Sequence, residues 1–129
     1  MLLTCADELP AIQALWPRFE TVVGLRGRRM YGVADVVHDT YSTCTPIRPG
    51  DDPAALGLEV GELAAGHYRR GRLEGDPPEL YARIGPGFDE LEALGAVDRS
   101  RPLVEFYKRY DEVELWLPVP DGRAPTTTP

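Results

Sequence analysis

The chain has 129 residues, 43% of them hydrophobic and 27% charged, with a formal net charge of −7. That length suits one domain with a real core but not two, and the composition is ordinary for a soluble globular protein. The acidic balance argues against nucleic acid as a partner, because phosphate contacts need a basic surface. No stretch approaches the ~20 apolar residues that cross a bilayer, so no membrane association is expected. The segment Met1 to Ala6 lacks the basic and apolar regions of a signal peptide, which points to the cytoplasm.

Helical spacing of Ile12, Leu15, Trp16, Phe19, Val22 and Val23 predicts a helix over 7–23, stopped by Gly24 and kinked or restarted at Pro17. A polar turn around Gly27 leads to a strand, Met30 to Asp35. The β-branched and aromatic run Val36 to Ile47 predicts a second strand, and Pro49 to Pro53 a loop. Alternation in Leu58 to Leu63 predicts a strand that turns at Ala64 to Gly66 and pairs with Gly66 to Leu73 as a hairpin. Asp76, Pro77 and Glu79 then signal a helix start. Leu80, Ile84, Phe88, Leu91 and Leu94 mark its buried side, Gly85 to Gly87 its break and Gly95 its stop. Two strands close the pattern, at 102–108 and 112–119, and the tail 120–129 is expected to be disordered.

Glu105 stands out. It lies inside the apolar run Pro102 to Tyr107, where period-two alternation puts Leu103, Glu105 and Tyr107 on one face and Val104 and Phe106 on the other. A carboxylate there is either on a solvated face, paired with an arginine such as Arg70, or on the floor of an aromatic pocket. A buried one needs a cationic or hydrogen-bonding partner.

Other chemistry finds little footing. Cys5 and Cys44 with His38 and His67 have no zinc-type spacing, so no metal and no cofactor are expected. Ser42 and Ser100 sit in no nucleophile elbow, and there is no glycine-rich phosphate loop. The arginine clusters Arg26 to Arg29 and Arg69 to Arg72 are expected to pair with the many carboxylates.

Four stretches stand out together and in order: Leu63 to Tyr68, the Glu74 to Pro78 turn before a helix, Glu105 to Tyr107, and Glu114 to Val119. This ordered set resembles the gyrase-inhibitor-like (GyrI-like) family of effector-binding domains, found alone or fused to AraC-type and MerR-type multidrug regulators. The resemblance covers about Gly57 to Val119 and joins the element order in implying an α+β fold. That fold is a single domain over 1–119, with a mainly antiparallel sheet, two helices on one side and pseudo-repeated α/β halves around a central cleft. The family opens with a strand before its first helix. Here the helix signal begins at Asp7, so the first half is expected to be trimmed, or its strand very short or missing. An unpaired edge left that way would favour a homodimer.

The resemblance implies a cleft lined by aromatic residues with a glutamate deep inside that attracts hydrophobic or cationic aromatic molecules. That role falls on Glu105, with Tyr68 beside it. Tyr107 and Trp116 are candidate walls from the same half, and Trp16, Tyr31 and Tyr41 from the first half. The leading expectation is a stand-alone small-molecule-binding protein. The alternative is a hydrolase that adds water to cyclopropane-type alkylating antibiotics, with Glu105 and Tyr68 as catalytic residues. A module restraining a topoisomerase ranks third.

Overall fold

The computed structural model describes residues 1–120, so the expectation for the tail beyond Pro120 lies outside the described residues. The element order is β1 (Leu2–Ala6), α1 (Leu9–Val23), β2 (Met30–Asp35), β3 (Thr40–Cys44), β4 (Tyr68–Glu74), α2 (Glu79–Ala82), α3 (Ile84–Glu92), β5 (Leu103–Arg109) and β6 (Glu112–Pro118). All six strands form one antiparallel sheet in the order β1-β3-β2-β5-β6-β4. Each half therefore repeats strand, helical segment and hairpin, and the halves join along the β2–β5 seam. The fold is the expected α+β arrangement.

The first half is not trimmed. β1 occupies its place antiparallel to β3, with Leu2 opposite Cys44 and Ala6 opposite Thr40. Five residues, three of them half-buried, two exposed and none fully buried, carry little strand signal, which is why the sequence hides it. The missing strand that would have favoured a homodimer is thus present. Its outer edge is bridged at one point, where Leu2 and Glu59 exchange backbone hydrogen bonds of 2.9 and 3.0 Å.

That bridge also corrects the predicted hairpin. Residues 58–63 form no strand, and β4 pairs instead with β6, Tyr68 opposite Pro118 and Glu74 opposite Glu112. Leu58 is buried in the first-half core while Val60 is exposed, so the alternation reports a loop held by one apolar anchor. The second predicted strand shrinks to β3. Asp35 Oδ1 accepts the backbone N–H groups of Val37 and His38 (3.1 and 3.2 Å), turning the chain where β-branched content suggested extension.

α1 runs unbroken through Pro17 and buries Leu15 and Phe19. Gly24 ends it at a φ of 74°. In the second half, the interruption falls at Arg83, between α2 and α3, and not at the glycines. Gly85, Pro86 and Gly87 occupy the start of α3, where a proline's missing N–H costs nothing. Gly87 lets α3 press onto the sheet: a Cβ there would lie 2.6 Å from Leu115 Cδ1. The predicted Asp76 side-chain cap does not form, and α3 ends at Glu92, short of Gly95.

Both helical segments cover the same face of the sheet. Phe19 packs with Met1, Met30 and Leu58 in one core cluster, while Leu80, Phe88 and Leu91 pack on Val113, Leu115 and Leu117 in the other. Tyr107 touches both clusters. α1 rests mainly on β1 and β3, and α3 on β4 and β6. The central strands β2 and β5 are left as a floor between them. Among the described residues, no helix is long and apolar enough to cross a membrane.

Leu115 is fully buried at the centre of the second core. Leu115→Ala should cost about 2–5 kcal/mol through lost transfer energy and the cavity it leaves. Urea unfolding checks this; a cost under about 1 kcal/mol would mean that α3 collapses onto the gap.

Candidate ligand-binding cleft

The floor left by the helices opens into a cleft of about 820 Å³. Leu9, Ile12, Trp16 and Pro17 of α1 form one wall, with Tyr81, Ile84 and Phe88 of the α2–α3 segment opposite. Met30, Leu103, Glu105 and Tyr107 lie on the floor, and Tyr41 of β3 closes one side. Leu103, Glu105 and Tyr107 share the cleft face of β5, as period-two alternation requires.

Glu105 is only 8% exposed, yet no cationic side chain among the described residues pairs with it. Arg70, the arginine considered for it, lies instead 4.5 Å above the Trp116 ring. Two phenols compensate in part: Tyr41 donates to Glu105 Oε1 at 2.7 Å and Tyr107 donates to the same oxygen at 2.6 Å. Trp16 Nε1 in turn donates to Tyr41 Oη at 3.1 Å, which fixes the phenol's direction. The Trp16 and Tyr107 rings meet edge to face at 4.9 Å. Both phenol hydrogen bonds thus fall on Oε1.

Burial pushes the Glu105 carboxyl above the usual glutamate range, the two phenol hydrogen bonds pull it back, and the charge of Asp7 adds to the rise. Desolvation and the adjacent carboxylate drive both Tyr41 and Tyr107 well above an ordinary phenol, so their protons stay in place as donors. The cations bordering the cleft are committed elsewhere or exposed. Arg28 holds Asp51 through two 2.7 Å contacts, Lys108 faces Glu112 and Glu114 at 3.7 and 3.5 Å, and Arg109 is exposed.

Gly32 makes this cluster possible. It stands opposite Glu105 in the β2–β5 register, and a Cβ there would run into Tyr41 Oη and come within 2.6 Å of Glu105 Oε1. The sequence reading passed over Gly32, although a glycine inside a strand is a recognised mark of close approach. It also passed over the second helical wall, Tyr81, Ile84 and Phe88, for which ordinary core packing is an equally good reading of the periodicity.

Of the seven side chains expected at the site, four come together: Glu105, Tyr107, Tyr41 and Trp16. Tyr68, Trp116 and Tyr31 do not line the cleft. Tyr31 pairs with Phe106, and Trp116 with Val104, on the opposite face of the sheet. There Tyr31 stacks on Phe106 at 4.8 Å, and Trp116 meets Tyr31 at 5.8 Å and Tyr68 at 5.7 Å. Tyr68 donates to Ala64 O at 2.5 Å and is not brought beside Glu105. Among the described residues no group of three or more His, Cys, Asp or Glu side chains is placed to hold a metal ion.

No family model and no curated protein matches this chain. Among solved structures, it is similar to an integron cassette protein from the mobile metagenome of Vibrio cholerae. That likeness has a TM-score of 0.68 at 15% identity and spans 93% of this chain and 87% of the other. At such identity it bears on the fold alone.

Two outcomes test the cluster. Gly32→Ala should displace Tyr41 or Glu105, cost about 1–3 kcal/mol as other overpacked sites do, and shift the emission of Trp16. The raised Glu105 carboxyl stabilises the fold fully below the unfolded value of about 4.3, and that contribution is lost as pH rises through the folded value. Glu105→Gln lacks this titration. Wild type should therefore lose stability relative to the variant from about pH 4.3 upward until the folded carboxyl has ionised, as read from urea midpoints across that range. A variant less stable than wild type at neutral pH would show the anion to be net stabilising.

Proposed function

We propose that this protein binds small hydrophobic or cationic aromatic molecules, with Glu105 as the counter-charge. The observation that carries this reading is a carboxylate buried in an aromatic cleft with two phenol donors and no cation. Desolvating such a charge is costly, and a ligand cation would restore the missing partner. The cleft volume of about 820 Å³ falls in the ~300–1,000 Å³ range of small-molecule sites. The walls suit a flat ring system, since Trp16, Tyr41 and Tyr107 offer ring faces and edges, and each cation–π contact contributes about 0.5–2 kcal/mol.

One observation favours a hydrolytic use of the same site. Burial raises the Glu105 carboxyl in the direction that makes a carboxylate a better general base at neutral pH. Tyr41 and Tyr107, not Tyr68, are then the phenols within reach of the reacting groups. Both readings place the same residue at the centre, and turnover separates them.

Calorimetric titration with a cationic aromatic dye such as ethidium, beside a neutral analogue of similar shape, tests the binding reading. Wild type should prefer the cation, and Glu105→Gln should weaken it by about tenfold to a hundredfold, the value of a charged contact, while leaving the neutral analogue unchanged. Affinity for the permanently charged dye should rise with pH through the Glu105 titration and then level off, because binding needs the anion. Equal affinity for both dyes, untouched by the substitution, would sink the proposal. Incubation with cyclopropane-bearing alkylating molecules, followed by mass spectrometry, examines turnover: a water-added product that disappears in Glu105→Gln makes the site hydrolytic.

A further inference from the structure

The first arginine cluster does not behave as loop arginines that merely neutralise carboxylates. The turn after α1 and the loop after β3 enclose a second cavity of about 260 Å³, lined by Gly27, Arg28, Arg29, Thr45, Pro46 and Arg48. Three arginines thus line one small space. A single carboxylate, Asp51, answers them: it takes both Nη atoms of Arg28 at 2.7 Å and the backbone N–H of Arg48 at 2.7 Å. Those hydrogen bonds hold the Asp51 carboxyl well below the usual range, so it stays an anion with its acceptor capacity largely used.

What remains is a surplus of positive charge. Arg29 and Arg48 make no ion pair among the described residues. Arg48 Nη1 reaches only the carbonyls of Arg26 and Gly27, both at a long 3.4 Å. The side chain of Arg28 is 5% exposed, and its Nε–H is buried with no acceptor. A buried donor without a protein partner is rare and costly. The loops are also shaped for this approach: Gly27 has a φ of 69°, and a Cβ on it would meet Arg48 Nη1 at 3.3 Å.

We infer that this cavity is an oxyanion site, built for a phosphate-type group held between Arg28, Arg29 and Arg48. The fork of a guanidinium matches two oxygens of a tetrahedral anion, and charge-assisted bonds of that kind are the strong ones. The site is distinct from the Glu105 cleft and does not rest on the function proposed for it. Arg28 plays a structural part, pinned to Asp51, while Arg29 and Arg48 supply the free charge. The anion is either inorganic phosphate or the phosphate of a larger molecule, and the chemistry of recognition is common to both.

The test follows the amide spectrum of the full chain by ¹⁵N NMR during titration with inorganic phosphate and, separately, phenyl phosphate, at constant ionic strength held with chloride. Saturable shifts at Gly27, Arg29 and Arg48 are expected. Arg29→Ala and Arg48→Ala should each weaken the response about tenfold, the value of one charged hydrogen bond. Saturation by both anions assigns a free phosphate site, and saturation by phenyl phosphate alone assigns a phosphorylated ligand. Arg28 is left intact because its loss would free the loop. No saturation by either anion, or saturation unchanged in both variants, would overturn the inference. An Arg48→Lys variant guards against a folding artefact, since it keeps the charge and should retain part of the affinity.

Discussion

A carboxylate buried without a cation is the constraint on which the rest of this structure depends. Glu105 sits on β5 at the seam between the two halves, directly across from Gly32 of β2. Its environment draws on four elements at once. β2 supplies the absent side chain, β3 and β5 supply the phenols of Tyr41 and Tyr107, and α1 supplies the indole of Trp16 that orients Tyr41. A group that costs several kcal/mol to desolvate unpaired persists in a marginally stable domain only where its surroundings compensate. Two neutral donors, both on one oxygen, compensate in part. Perturbed carboxylates of this kind cluster at functional sites, which is the ground for the function proposed above.

The cleft itself is a consequence of the strand order. Each half sets its helical segment over its own outer strands, α1 over β1 and β3 and α3 over β4 and β6. The seam strands β2 and β5 then carry apolar floor residues with no helix directly above. Tyr107 fills part of the gap and joins the two cores, which makes one side chain both a structural bridge and a wall. The close approach of α3 at Gly87 and the burial of Phe19 on α1 hold both walls down onto the sheet.

Local patterns made much of this legible and nonlocal pairing hid the rest. Alternation in Leu103 to Tyr107 sufficed to put Glu105 and Tyr107 on one face, because a strand's period does not depend on its partner. Helical spacing likewise delivered Trp16 with Phe19. The side taken by Tyr31, Tyr68 and Trp116 was not legible, because it depends on register with neighbouring strands, which no stretch of local sequence encodes. The hairpin assigned to 58–73 failed for the same reason: β4 finds its partner in β6, far along the chain, while Glu59 meets β1. β1 was obscured by its brevity and edge position. Gly32 was open to reading as a mid-strand glycine, yet only the Tyr41 and Glu105 side chains over it explain why it must be there.

Segregation of charge is the remaining piece. The chain is acidic overall, and the cleft is lined by the carboxylates of Glu20 and Glu105 while an arginine-rich cavity is lined by Arg28, Arg29 and Arg48, with Arg28 bordering both spaces. Asp51 holds Arg28 by taking both of its terminal nitrogens in a bidentate contact. A guanidinium committed in this way forms a wall without neutralising the floor. Asp51, which lines neither space, thereby sets what the shared Arg28 side chain can offer to both cavities.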